Sequence, residues 1–152
     1  MIIKFHDDFF IQWDYILLDA PYPQGTLNFC INGKFYPNEV GYYTMSSLLY
    51  SLTSNIEEIR NLTIDIGDTP IDEIDFVNCE DDRLIWLDTD ELYQQGFGLV
   101  LGYNGDQERI LITIDYEKSF NEIVLPKGTL LKTLEALENV RLSLYGSVQK
   151  PV

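Results

Sequence analysis

Few side chains in this 152-residue sequence could carry out nucleophilic or metal-dependent chemistry. His6 is the one histidine, and Cys30 and Cys79 are the two cysteines. A Cys–His catalytic pair would have to use His6, but no recognisable signature surrounds it or either cysteine. We therefore expect two reduced thiols and a histidine at the edge of a first strand. A zinc site is not expected either, because the ligand spacings that zinc requires are missing.

Carboxylates are plentiful, with 25 Asp and Glu against 10 Lys and Arg. Asp88-Thr89-Asp90 begins like an EF-hand calcium loop, but Tyr93 stands where that loop requires glycine. Two carboxylates could serve as acid and base in glycoside hydrolysis, although a suitable pair among 25 acids carries little information. The sequence contains no phosphate-binding loop and no dinucleotide-binding glycine motif. These observations favour a binding protein with no cofactor and no metal over an enzyme.

The net charge of -15 restricts the class of partner. Because a surface this acidic repels phosphate backbones and anionic lipids, direct binding to nucleic acid or to a membrane is not expected. Asp7 and Asp8 interrupt the N-terminal apolar run, and no stretch approaches the roughly 20 apolar residues that span a bilayer. We expect a single cytoplasmic domain over residues 1–152. The charge is compatible with a basic partner, a cationic ligand or simply high solubility.

The acid is concentrated in one segment. Eleven of the carboxylates lie from Asp65 to Glu91, where Arg83 is the one cation. Apolar residues are interleaved among them, which predicts a segment that is packed on the fold with its carboxylates outward. This acidic segment is either a solvated face or a docking surface for a basic protein, with aromatic anchors among the acids. The candidate contact residues are Asp72, Glu73, Asp75, Glu80, Asp81, Asp82, Trp86, Asp88, Asp90 and Tyr93. The exposed side of a helix over 45–59 is the alternative docking face.

Hydrophobic alternation predicts the elements that must position this segment. Phe9, Ile11, Trp13, Tyr15 and Leu17 share one face of a strand, and prolines with Gly25 predict a loop over 19–25. A strand over 27–31 precedes Asn32-Gly33, which is typical of a type I′ turn that returns through 34–36. Helical spacing predicts a helix over 45–59 with Thr44 as its cap. Alternation at Leu62, Ile64 and Ile66 predicts a further strand.

The second half repeats the hairpin pattern. Two alternating runs flank a turn at Asn104-Gly105, and Gly98 with Gly102 leaves room on one face for bulky groups. The apolar positions of the two runs are Phe97, Leu99, Leu101 and Tyr103, then Ile110, Ile112, Ile114 and Tyr116. A short strand over 123–125 and a final helix follow, in which Thr129 is the cap and Leu130, Leu134, Leu137 and Arg141 form one stripe. The pattern predicts an α+β class: a mostly antiparallel sheet built from hairpins, with two helices packed on one face.

Two segments carry a family resemblance. Residues 29–39 read FCINGKFYPNE, and residues 96–111 read GFGLVLGYNGDQERIL, with the predicted helix between them. This arrangement resembles the bacterial polymorphic-toxin immunity proteins of the immunity protein 42 family, which show an F-x-I-N-G-K-x-Y-P-x-E hairpin and a G-F-x₆-N-G-D hairpin strand. The resemblance covers most of the chain in layout and these two hairpins in residues.

The resemblance implies a cytoplasmic antidote encoded beside a secreted toxin, as in contact-dependent growth inhibition. Such a protein would bind the toxin's C-terminal domain and block its active site or substrate entry, without catalysis of its own. Many such toxins are nucleases with basic clefts, which an acidic inhibitor can complement. No family contact residues can be transferred by position. An acidic regulatory or scaffold module that binds another basic protein is the alternative, and a small carboxylate-based hydrolase is the third possibility.

Overall fold

The N-terminal hairpins form a five-stranded antiparallel sheet in the computed structural model, which describes residues 1–16, 23–38, 41–78 and 80–145. Its strands are β1 (Ile2–His6), β2 (Phe9–Ile16), β3 (Gln24–Ile31), β4 (Lys34–Tyr36) and β5 (Tyr43–Thr44). The order is β1-β2-β3, and both β4 and β5 pair with the far edge of β3. Asn32 and Gly33 have φ of 50° and 77°, which confirms the expected type I′ turn. Leu17 and most of the expected 19–25 loop lie outside the described residues, but Gln24 and Gly25 belong to β3 rather than to a loop.

The expected helix over 45–59 is two helices, α1 (Met45–Thr53) and α2 (Ile56–Arg60). The break follows two hydroxyls that bond back to the backbone: Thr53 Oγ1 donates to Leu49 O at 2.7 Å, and Ser54 Oγ donates to Ser51 O at 2.6 Å. Such side chains compete with the helical ladder. Thr44 occupies the N-cap position as expected, but its side chain makes no capping hydrogen bond.

The second half forms a separate four-stranded antiparallel sheet in chain order. Its strands are β6 (Leu84–Trp86), β7 (Gly98–Asn104), β8 (Gln107–Thr113) and β9 (Asn121–Pro126). The β7–β8 turn differs by one residue from the expectation, because Asn104 pairs with Gln107 and Gly105-Asp106 occupies the turn centre. Gly105 has φ of 60°. Ile114 and Tyr116 were expected to continue β8, but they follow its end and are half-exposed.

The predicted strand at Leu62, Ile64 and Ile66 is wrong. No strand forms there, and Ile64 is exposed while Ile66 is buried, so the three residues do not share a face. The segment instead bonds locally to β7, where the N–H groups of Ile66 and Gly67 both donate to Tyr103 O. Ile66 fills the space beside Gly102, where an added Cβ would lie 2.7 Å from Ile66 Cγ2. The expectation that Gly102 leaves room for a bulky group is confirmed.

One apolar core joins the two sheets and the helices. Phe29 of the first sheet stacks on Phe97 at 5.3 Å between ring centroids, directly before β7. The last helix, α3 (Thr129–Tyr145), packs against α1 and β1, and its fully buried Leu130, Leu134 and Leu137 confirm the predicted stripe. The α+β class is therefore confirmed, with the strands divided between two antiparallel sheets.

The second sheet is buried on both faces. Its inner face contributes Leu99, Leu101, Ile110 and Ile112 to the shared core. Its outer face carries a smaller cluster around Val100 and Leu111 that is covered by the acidic segment. The residues of this outer cluster are Ile66, Ile74, Leu84, Val100 and Leu111, with Ile71, Phe76, Trp86 and Phe120 packed against them.

The start of α3 is capped from β8 rather than by Thr129. The Glu108 carboxylate has no exposed surface and accepts from Gly128 N at 3.1 Å and Leu130 N at 2.8 Å. Thr129 is the first residue of the helix, and its hydroxyl donates to Pro126 O. Burial raises the pKa of Glu108, although these N–H groups and Lys127 oppose the rise.

Replacing Glu108 with Gln should lower the free energy of unfolding by about 1–3 kcal/mol at pH 7, since the amide NH₂ meets N–H donors. Because the folded-state pKa of Glu108 is raised, its protonation favours the folded state, and this contribution is lost as the pH rises through that pKa. Urea unfolding from pH 5 to 8 should therefore show the gap between wild type and E108Q widening toward low pH. A gap that narrows toward low pH would contradict this assignment.

Candidate interaction surface

Arg109 fastens the acidic segment to the second sheet. Its side chain, only 7% exposed, extends from β8 on the outer face and forms an ion pair with Glu122 of β9 through Nε and Nη2. Nη1 donates to Gly67 O at 2.9 Å and to Thr69 O at 2.7 Å. One guanidinium thus joins two strands to the backbone that leads into the acids. The planar fork of arginine suits this combination of partners.

The acidic segment is packed on the fold with carboxylates outward, as the interleaved apolar residues predict. Ile66 and Ile74 are buried against the outer face of the second sheet. A 3₁₀ turn at Ile71–Glu73 lies between them and presents Asp72 and Glu73 to solvent. Val77, an apolar residue within this segment, is 90% exposed and does not contribute to packing.

Some of the predicted contact carboxylates have internal partners. Asp81 pairs with Arg83 at 2.7 Å, and the hydrogen bonds from that guanidinium hold the pKa of Asp81 below its usual value. Asp75 accepts hydrogen bonds from the Asn78 side chain and from the Val77 and Asn78 backbone, which lower its pKa. These two carboxylates shape the loop as well as carrying charge.

The acids at the end of the acidic segment accept hydrogen bonds from the start of α1. Glu91 accepts from Thr44 N at 3.1 Å, and Asp90 accepts from Ser47 Oγ at 2.8 Å. The first turn of α1 contains no acidic residue of its own. A second 3₁₀ turn, Asp90–Gln95, therefore brings negative charge to the positive end of that helix.

Two open depressions flank β6, and each is lined by different members of the set of predicted contact residues. One is lined by Trp86, Asp88, Asp90 and Tyr93, together with Glu117. The other is lined by Glu80, Asp81 and Asp82, together with Glu58 of α2. Asp72, Glu73 and Asp75 line neither and lie on the segment over the outer face.

Sequence reasoning missed three residues of this surface. Glu58 and Glu117 line the depressions but lie outside the acidic segment. The composition of that segment could therefore not indicate them. Arg109 could have been suspected as a charge directly before the apolar run Ile110–Ile112 of β8. Within the described part of the chain, no group of three or more His, Cys, Asp or Glu is arranged to hold a metal ion. Cys30 is buried and free, while Cys79 lies outside the described residues.

The architecture matches a known fold. The crystal structure of CdiI from Burkholderia dolosa AUO158 aligns with a TM-score of 0.51 over 87% of this chain and 94% of that chain. The aligned residues are 14% identical, so the match shows a shared α+β fold. No curated protein sequence matches this chain. No helix in the described residues is long and apolar enough to cross a bilayer.

The family model for Immunity protein 42 matches residues 1–140. The chain therefore belongs to the immunity protein 42 family, and the resemblance noted in its two hairpins is confirmed. As an immunity protein, it acts by binding and neutralising a cognate toxin.

Replacing Arg109 with Lys should release the acidic segment while keeping the charge, because the three donors on one ammonium nitrogen cannot reproduce the four bonds that the planar guanidinium makes to Glu122 and the two carbonyls. We expect a loss of about 2 kcal/mol in unfolding free energy. In hydrogen–deuterium exchange, peptides over 64–76 should lose more protection than peptides of β2 and β3.

Arg83→Lys is the matched control, since within the described residues the Arg83 side chain forms its hydrogen bonds with its neighbour Asp81. Its exchange pattern over 64–76 should resemble wild type. Unchanged protection of 64–76 in R109K would show that apolar packing alone holds the segment.

Proposed function

We propose that this protein neutralises a basic toxin domain, such as a nuclease, by laying its acidic segment over the toxin's active site or substrate cleft. The contact residues are those predicted from the sequence, and the toxin region bound is the C-terminal domain. The protein needs no catalytic step and no cofactor for this role. It acts in the cytoplasm of the cell that makes it, where an incoming toxin would find its substrate.

The proposal rests on a set of exposed carboxylates whose backbone is held against the second sheet. Asp72, Glu73, Glu80 and Asp82 are exposed to solvent. Arg109 and the buried isoleucines hold the backbone that carries them. A preorganised acidic surface can replace phosphates in a basic cleft at little ordering cost.

The charge also affects the rate of association. Unsteered protein pairs associate at about 10⁵–10⁶ M⁻¹s⁻¹, and complementary charge raises this by orders of magnitude at low salt. Aromatic groups near the acids, Trp86 and Tyr93, can supply contact energy that long-range charge does not.

Co-expression tests the function itself. The toxin-like reading frame immediately upstream of this gene should arrest growth when expressed alone, and this protein should restore growth and co-purify with the toxin domain. If growth is not restored and no complex co-purifies, the chain does not neutralise that toxin.

The double variant Asp72→Lys/Glu73→Lys tests the surface. It should lower the association rate at least about tenfold at low ionic strength and flatten its salt dependence, because two exposed carboxylates become cations on the steering face. Stopped-flow or surface-based kinetics with the toxin domain would measure this. Both positions are exposed, so the unfolding free energy should change by less than about 0.5 kcal/mol.

The double variant Asp8→Lys/Asp14→Lys is the matched control, since both acids are exposed, Asp8 in the β1–β2 turn and Asp14 on β2, and the net charge changes equally. It should reduce the rate far less. Equal slowing by both variants would mean that only net charge matters. An unchanged rate in the first variant would place the docking face elsewhere, such as the exposed side of α1.

A further inference from the structure

The depression beside Trp86 is built differently from the rest of the acidic surface. Trp86 is half-buried and held by perpendicular ring contacts with Phe76 and Phe120, at centroid distances of 5.9 and 6.0 Å. On the other side Tyr93 meets Tyr116 in a perpendicular contact at 5.9 Å. The depression therefore has two braced aromatic walls.

Glycine forms the floor of this depression. Gly98 and Gly102 lie on the same outer face of β7, four residues apart. Ile66 fills the space at Gly102, but at Gly98 the nearest atom to an added Cβ is Thr113 Cγ2, at 3.0 Å, on the neighbouring strand. Gly98 is itself buried, but within the described residues Thr113 Cγ2 is the one atom within 4 Å of that added Cβ, so no side chain fills this space as Ile66 does at Gly102. Gly98 also lines the open depression.

Three carboxylates border the same space: Asp88, Asp90 and Glu117. Glu117 comes from the β8–β9 connection, and the other two come from the segment after β6. Lys118, the cation nearest to them in sequence, is exposed and does not line the depression. Negative charge thus faces an apolar cleft from two separate parts of the chain.

The backbone around the depression is strained. Among the described non-glycine residues, positive φ occurs at Asn32, which forms the first hairpin turn, and at Asp90, Tyr116 and Glu117. The last three line the depression or brace its wall. Tyr116 is fixed in this conformation by a bond from its hydroxyl to Gln94 O at 2.5 Å and by one from its N–H to Gly96 O. Strain held in place by such bonds is often found where a chain must present a ligand-binding side chain.

We propose that this depression receives an arginine side chain of the toxin, stacked between Trp86 and Tyr93 over Gly98 and paired with Glu117. The proposal rests on the proposed function and names its central contact. A guanidinium combines a planar, weakly hydrated surface that stacks on aromatic rings with donors for several carboxylates, whereas an ammonium is a strongly hydrated point charge. The space has aromatic walls and an acidic border, and this pairing of features matches arginine.

A double-mutant cycle tests the contact. Each arginine of the toxin domain is replaced in turn by Gln, and each variant is measured against wild type and Glu117→Gln by calorimetry. Such a cycle isolates the pair, because Glu117→Gln keeps the shape of the side chain and removes its charge. One arginine should couple to Glu117 by at least about fivefold in Kd.

Glu117→Lys provides a second, independent variant, since its ammonium would occupy the depression. It should weaken binding at least about tenfold, whereas Asp8→Lys, with the same change in charge, should change Kd less than about twofold. Far-UV circular dichroism and thermal melts confirm that both variants fold.

The outcomes separate this inference from the proposed function. A wild-type complex in which no toxin arginine couples to Glu117, and in which E117K and D8K bind alike, overturns the arginine contact and leaves neutralisation standing. Absence of any complex with the wild-type protein overturns the proposed function first. Coupling of Glu117 to one arginine, together with a selective loss in E117K, supports both.

Discussion

The ion pair and hydrogen bonds of Arg109 are the interaction on which the acidic surface depends. This residue is buried next to the apolar run Ile110–Ile112 of β8, and burying a guanidinium there is costly unless its N–H donors are satisfied. Glu122 and the carbonyls of Gly67 and Thr69 satisfy it. The consequence is structural: a segment that would otherwise repel itself is fastened at its entrance to the second sheet. The burial of Ile66 and Ile74 then continues the attachment along the segment.

The carboxylates that give the net charge of -15 therefore have different roles in the structure. Glu108 caps α3 from inside the fold, and Glu91 bonds the start of α1. Asp81 is largely occupied by Arg83. The acids that remain, such as Asp72 and Glu73, project from a supported backbone into solvent. This last group presents its charge to a partner most directly, and steering depends on where charge is concentrated rather than on the total.

Local sequence signals predicted those features of the fold that interactions between neighbouring residues determine. The Asn32-Gly33 turn, the α3 stripe and the outward orientation of the acidic segment all follow from backbone preference or hydrophobic spacing. The strand predicted from alternation at 62–66 does not form, because the segment meets β7 at one point, where the N–H groups of Ile66 and Gly67 both donate to the Tyr103 carbonyl. Three other features depend on contacts between residues that are distant in sequence. They are the division into two sheets, the capping of α3 by Glu108 and the position of Glu117 beside Trp86. Nothing in a single sequence fixes which distant strand or loop supplies those groups.

Hydrogen–deuterium exchange of this protein, alone and bound to the toxin domain encoded upstream, tests the central claim most directly. The claim is that the toxin binds the acidic segment and the depression beside it. Protection on binding should appear in peptides covering 68–95 and 114–120, with the first sheet and α1 unchanged. Protection confined to α1 or to the first sheet, with 68–95 exchanging as in the free protein, would contradict the account.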